Sequence, residues 1–269
     1  MPDSDLDSRT NADAQSHLKD LDLLRDAGAE AAAIAMRYFR RQPETWMKSG
    51  QSPVSEADIA VDRFLRNELM AARPDYGWLS EETEDDLARL ERPATFVVDP
   101  IDGTRGFLDG SDAWCVSLAV VRDGRAVAGV LNCPASSEVF EATTGTPAIC
   151  NGEQIAVSEP HSGYYIAGPK PMVDAAALRL DGSVRRHAYV PSLAYRVAMV
   201  AAGRFDGTYV KPNAHDWDIA AADIILERAG GSILRPDGTR PAYAGHRTAH
   251  GALVAASGHV LPKLLSAMA

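Results

Sequence analysis

The chain has 269 residues, 46% of them hydrophobic and 24% charged, with a formal net charge of -10. That length supports a large core, as one domain or two closely joined ones, and the acidic balance speaks against a nucleic-acid polymer as partner. Three cysteines without metal-type spacing, a polar acidic N-terminus and no apolar run near ~18 residues point to reduced thiols, a cytoplasmic location, no secretory signal and no membrane span.

Residues 1 to about 13 are polar and read as frayed. From Ala14 to Arg41, Leu21, Leu24, Ala31, Ile34, Ala35, Tyr38 and Phe39 recur at helical spacing, which predicts a helix weakened at Gly28 and closed by Pro43. Trp46 to Lys48 form a short predicted strand, with Lys48 either near a site or simply a solvated surface lysine. Pro53 leads into a second helix, where Ser55 and Asp58 have capping-box spacing and Val61, Phe64, Leu65 and Leu69 give an apolar face. Taken alone, Asp58 is a cap. Trp78 to Ser80 predict a strand that delivers Glu81, and the acidic run from Glu82 to Glu91 reads as solvated surface. After a motif around Asp99, residues Gly103 to Asp109 predict a short helix or turn whose amides point at an anion. Trp114 to Val121 and Arg125 to Leu131 are strands joined across the hairpin signal Asp123-Gly124; Glu138 to Thr143 and Gln154 to Val157 continue the antiparallel pattern. A second, parallel or mixed sheet begins with Tyr164 to Ala167, followed by a loop over Gly168 to Pro171. Ser192 caps a helix closed by Gly203, and Gly207 to Val210 is a strand. Asp216 or Asp218 opens a helix stopped by Gly230-Gly231, and a strand (Leu253 to Ala256) and a helix (Val260 to Met268) end the chain. The expected division is an α+β part over residues 1–160 and an α/β part over 161–269.

The stretch Val97-Val98-Asp99-Pro100-Ile101-Asp102-Gly103-Thr104 dominates this order. Pro100 has no N–H for a ladder, which predicts that the strand stops at Asp99. Two carboxylates and a hydroxyl then gather where a buried strand ends. Like charges about 4 Å apart repel by roughly 4 kcal/mol at an effective dielectric near 20, so a proton, a basic residue or a metal must offset them. Carboxylates, a carbonyl and a hydroxyl form an all-oxygen set that suits Mg2+ or Mn2+. The plain alternative is a strand-end turn that uses Asp as a turn former.

This run resembles the D-P-[IL]-D-G-T motif of the inositol monophosphatase family, lithium-sensitive Mg2+-dependent phosphatases that include 3'(2'),5'-bisphosphate nucleotidase-like members. Three more of the family's motifs stand in the right order around it: the helix start Ser52 to Asp58 and Glu81-Glu82 upstream, and Trp217-Asp218-Ile219-Ala220-Ala221-Ala222 running on to Gly230-Gly231 downstream. The resemblance implies a five-layer α-β-α-β-α sandwich, as in fructose-1,6-bisphosphatase, usually dimeric. It implies Glu81, Asp99 and the Ile101 carbonyl on one Mg2+, Asp99, Asp102 and Asp218 on a second, and Glu81 near a weak third. It also implies Thr104 paired with Asp58 to activate water, and the Gly103 and Thr104 amides on phosphate. The substrate is then a small phosphomonoester: an inositol monophosphate, 3'-phosphoadenosine 5'-phosphate, histidinol phosphate or a sugar phosphate.

Two departures from strict inositol monophosphatases add positive charge: Arg105 after the motif, and Lys211 seven residues before Asp218, where an inositol-binding acid is usual. Both hint at a second anionic group on the substrate, and each is equally a plain surface cation. Lys170, Arg185 and Arg186 are further candidates without an assigned role. A haloacid-dehalogenase-type phosphatase also carries two motif aspartates, but at i, i+2 on one strand face; Asp99 and Asp102 are at i, i+3. A non-catalytic regulatory protein on the same fold is the alternative from another class.

Overall fold

The computed structural model describes residues 3–47 and 53–268; Lys48 lies outside them. Helix α1 (Asp3–Tyr38) runs unbroken through Gly28 and begins well before the expected Ala14, because no proline or glycine interrupts the polar lead-in. A small hairpin of β1 (Thr45–Met47) and β2 (Pro53–Ser55) precedes α2 (Glu56–Ala72), so Pro53 ends in a strand rather than in the helix it introduces. Strands β3 (Gly77–Ser80) and β4 (Thr95–Asp102) pair in parallel. After the short α3 (Thr104–Leu108) come β5 (Cys115–Arg122), β6 (Arg125–Cys133), β7 (Glu138–Thr143), β8 (Ile149–Cys150) and β9 (Glu153–Gln154), each antiparallel to its predecessor. The β5–β6 turn is Asp123-Gly124, both at positive φ, the primed geometry that matches strand twist.

The second half holds β10 (Tyr164–Ala167), α4 (Lys170–Ala177), β11 (Val184–Arg186), α5 (Leu193–Ala201), β12 (Gly207–Val210), α6 (Asp216–Arg228), β13 (Gly231–Leu234), β14 (Leu253–Ser257) and α7 (Leu261–Ser266). Helix α4 and strands β11 and β13 were not legible in the sequence. The first starts inside a Pro-rich loop, β11 is mostly exposed, and β13 starts on Gly231, a glycine that signals a helix stop. Among the described residues these strands form a mixed five-stranded sheet ordered β11-β10-β12-β14-β13, beside the seven-stranded sheet β3-β4-β5-β6-β7-β8-β9.

The layers follow from which faces are apolar. Helices α1 and α2 cover one face of the large sheet through Leu24, Leu65, Phe96, Val98 and Trp114. Helices α5 and α6 fill the middle, where Leu131 and Phe140 of the large sheet share a cluster with Val197, Ile225 and Leu253. Helices α4 and α7 cover the outer face of the small sheet through Val173, Val254 and Leu264. The result is the α-β-α-β-α sandwich expected from the motif resemblance. Among the described residues no helix is long and apolar enough to cross a membrane.

Candidate active site

Strand β4 does not stop at Asp99. It continues through Pro100 to Asp102, where four residues (Asp99 to Asp102) span what three residues cover on β5 (Ser117 to Cys115). This is a β-bulge, and Pro100 sits in it, where a missing N–H costs no ladder bond. The Ile101 amide donates to Asp99 Oδ1 instead, at 3.0 Å. The bulge reverses the alternation: Val97 faces the middle layer and Phe96 and Val98 face α1 and α2, yet Ile101 also lies on the α1–α2 side. Asp102 is thereby turned to the middle layer with Asp99. The i, i+3 spacing that separates side chains on a regular strand brings them together here.

Glu81 arrives from the parallel neighbour. Its amide donates to the Val98 carbonyl at 3.2 Å, one residue beyond the last rung, Ser80 with Val98. Asp62 of α2 steadies this strand end by accepting from the hydroxyls of Ser80 and Thr83. Asp218 comes from the second half, on the first turn of α6. The N-cap of that helix is His215, and its amide donates to Asp218 Oδ2 at 2.6 Å, so Asp218 is a capping residue and faces the same cleft. Asp216, the other expected helix opener, is buried with His250 and the Ala244 amide.

Asp99, Asp102 and Asp218 each bring a carboxylate oxygen within 4.8 Å of the others. Burial, then the charges of Glu81, Asp102 and Asp218, pushes the Asp99 carboxyl well above its ordinary range. Burial raises Asp102 to about 6 even though it accepts from Ser192 Oγ and from the Ala194 amide at 2.7 Å. Burial and the Asp102 charge push Asp218 up as well. A set of oxygen donors that resists ionising together fits a hard divalent cation.

Asp58 makes both contacts that its position allows. Its Oδ2 accepts from the Ser55 amide and hydroxyl at 2.8 and 2.6 Å, closing the capping box of α2. Its Oδ1 lies 3.3 Å from Thr104 Oγ1, which is also 3.0 Å from the Ile101 carbonyl. Burial raises its carboxyl to about 6, against the lowering effect of the Ser55 bonds. Gly103, at φ +91°, makes the turn between Asp102 and Thr104; a Cβ there would stand 3.0 Å from the Ser192 backbone.

A cleft of about 950 Å3 lies between the two halves. Glu81, Asp99, Asp102, Gly103, Thr104 and Arg105 form one side; Lys170, Arg186, Arg196, Lys211, Trp217 and Asp218 are among the residues of the other. Of the unassigned cations, Lys170 and Arg186 therefore reach the cleft, whereas Arg185 stacks on the Tyr165 ring at 3.6 Å. Sequence reading missed Arg196, a buried arginine inside the apolar α5, and gave Ser192 only its capping role. The capping is real, since Ser192 Oγ accepts from the Tyr195 amide at 3.0 Å, but the same hydroxyl anchors Asp102.

A family model described as the inositol monophosphatase family matches residues 18–268. The chain belongs to the inositol monophosphatase family. An inositol-1-monophosphatase of Rhizobium meliloti (strain 1021) is 33% identical over 74% of this chain and 78% of its own length. A histidinol-phosphatase of Chlorobaculum parvum is 30% identical over 79% of this chain and 84% of its own. Among solved structures, a Thermotoga maritima IMPase superposes with a TM-score of 0.80 at 27% identity, covering 93% of this chain and 96% of that one. Membership in this family sets aside the haloacid-dehalogenase reading.

Proposed function

We propose that this protein is a Mg2+-dependent phosphatase of a small phosphomonoester, an inositol monophosphate or a substrate with a second anionic group such as 3'-phosphoadenosine 5'-phosphate. The observation that carries the reading is the cleft itself: a carboxylate cluster (Asp99, Asp102, Asp218, with Glu81 beside it) faces Lys170, Arg186, Arg196 and Lys211. The first wall suits divalent cations, which would neutralise charge on a phosphate, and the second suits a further negative charge on the same molecule.

Glu81, Asp99, Asp102, Asp218 and the Ile101 carbonyl are the groups that would hold Mg2+ or Mn2+, in two or three places. Bound there, the ions would supply Lewis acidity toward the phosphoryl oxygens and lower the pKa of water. The protein's own contribution is positional and acid–base. Thr104 Oγ1, held between Asp58 and the Ile101 carbonyl, orients a water for in-line attack on phosphorus. As the new P–O bond forms, the water proton passes to Thr104 while the Thr104 proton passes to Asp58, whose carboxyl near 6 suits a base at neutral pH. The ester P–O bond breaks and the leaving oxygen takes a proton from solvent. Amides of Gly103 and Thr104 at the start of α3, with Arg105, steady the phosphate. The rings of His215 and Trp217 stack at 4.5 Å on the opposite wall and offer a flat surface to a ring-bearing substrate. A homodimer, as in the family, belongs to the same proposal and is checked by sedimentation velocity.

The test is phosphate release with Mg2+ and with EDTA from inositol 1-phosphate, 3'-phosphoadenosine 5'-phosphate, histidinol phosphate and fructose 1,6-bisphosphate. Turnover of one substrate, abolished by EDTA and reduced more than about 100-fold by Asp99→Asn, is the expected result. No turnover of any substrate by the folded protein would overturn the proposal in favour of a non-catalytic regulatory role.

A further inference from the structure

A second cluster of metal-type ligands lies at the far end of the small sheet. Asp206 immediately precedes β12, whose other end leads to Lys211 and the cleft. His161 lies on the segment that joins the two sheets, between β9 and β10. His259 lies between β14 and α7. One ligand atom from each falls within 4.8 Å of the others.

The Asp206 carboxylate is fully buried and fixed from both sides. Its Oδ1 accepts from Ser158 Oγ and its Oδ2 from the Tyr165 amide, each at 2.7 Å. One lone pair of Oδ2 remains, and His161 Nε2 stands 3.2 Å away. The other nitrogen of that ring decides its tautomer. His161 Nδ1 is 2.9 Å from the Glu159 carbonyl, which only accepts, so Nδ1 carries the proton. In the neutral ring Nε2 is then a lone pair facing a carboxylate oxygen, two acceptors with no hydrogen between them. Either a proton on Nε2, which makes the ring an imidazolium paired with Asp206, or a metal cation between the two atoms resolves that conflict. A backbone carbonyl on the distal nitrogen and a doubly hydrogen-bonded carboxylate are the supports that orient metal ligands in proteins. The separation also fits: bonds of about 2.0–2.1 Å in a tetrahedron place ligands about 3.3 Å apart. The exposed His259 ring, its centroid 6.4 Å from that of His161, supplies the third nitrogen by side-chain rotation.

We propose that His161, Asp206 and His259 bind a divalent transition-metal ion of the zinc class, with water completing the shell. Two imidazoles and one carboxylate are borderline donors that favour Zn2+, Co2+ or Ni2+ over Mg2+, which separates this site from the all-oxygen cleft. The ion ties the joining segment to the start of β12 and the entry to α7. Its binding stabilises the fold by mass action.

The test uses the untagged full-length chain, stripped with chelator and held in excess Mg2+. Zn2+ affinity is measured by competition with a chromophoric chelator, Co2+ coordination by visible absorption, and the melting temperature with and without Zn2+. The parent and Asp99→Asn should bind one equivalent of Zn2+, show an intense tetrahedral Co2+ spectrum and melt higher with Zn2+. The double variant His161→Ala/His259→Ala should weaken Zn2+ binding by more than about 100-fold, beyond the loss of a merely orienting partner. It should keep its metal-free melting temperature and its Mg2+-dependent phosphate release. Binding retained in the double variant, binding lost in Asp99→Asn, or no binding by the parent would each overturn the assignment. None of these outcomes bears on the phosphatase reading, which is tested with Mg2+ and substrate.

Discussion

Thr104 has one proton and two acceptors, Asp58 Oδ1 and the Ile101 carbonyl. If it relays the proton of the attacking water, its hydroxyl matters and its volume does not. Thr104→Val should lower kcat by about 10²–10³-fold with little change in KM, while Thr104→Ser should stay within about 10-fold of the parent; steady-state kinetics on the turned-over substrate checks both. Asp58 reads locally as a cap, because a capping Asp and a catalytic Asp share the same local signature; its pairing with Thr104 came only from the wider motif resemblance. The structure places one oxygen on the Ser55 amide and hydroxyl and the other 3.3 Å from Thr104 Oγ1. Arg196 left no such trace: an arginine among Leu193, Val197 and Val200 gives no sign of which way it points, and only the packing of α5 against the cleft puts it in the wall.

At the scale of elements, the bulge in β4 and the turn that follows it set the active-site geometry. Gly103 is required at φ +91° with Ser192 against it, so Gly103→Ala should destabilise the fold by about 1–3 kcal/mol, read as a lower denaturant midpoint, and should also displace Thr104 and reduce activity. Helix α6 carries a pH-dependent term away from the cleft. Asp223 is buried, its Oδ2 accepts from Tyr243 Oη at 2.8 Å, and its Oδ1 has no partner; burial raises the carboxyl from 3.8 to about 6, against the Tyr243 bond. The folded-state value lies above the unfolded one. Its stabilising contribution is therefore complete below about pH 4 and is lost as pH rises through 6. Denaturant titrations of Asp223→Asn and parent should accordingly diverge in favour of the variant by roughly 1 kcal/mol between pH 5 and pH 8. An unchanged difference across that range would mean the carboxyl titrates normally.

At the scale of the whole molecule, the two halves share one interior. Leu131 and Phe140 of the large sheet pack in the same cluster as Val197, Ile225 and Leu253 from beyond residue 160. Asp102 is tied to α5 through Ser192 and the Ala194 amide. We therefore expect that residues 1–160, expressed alone, retain secondary structure by far-UV circular dichroism but lack near-UV signal and dispersed NMR resonances. A well-dispersed spectrum from that fragment would show the division at residue 160 to be a true domain boundary. The cations Lys170, Arg186, Arg196 and Lys211 come from the second half and the carboxylates Glu81, Asp99 and Asp102 from the first, so the cleft exists only when both are folded together.

Local pattern determined much of this protein. The β5–β6 hairpin, β7, β10, β12, the Ser192 cap and the acidic groups at strand and helix ends were legible because alternation, turn residues and capping spacings are short-range properties of the chain. The motifs also carried the family and hence the layer order. What the chain could not reveal locally depends on long-range partners. Pro100 looked like a strand end because a bulge is defined only by the opposing strand, here the Ser117 to Cys115 pairing. Strand β13 hid behind a helix-stop glycine pair, and β11 is a strand only because β10 lies beside it. The meeting of His161, Asp206 and His259, nearly a hundred residues apart along the chain, was set by the sheet that folds between them.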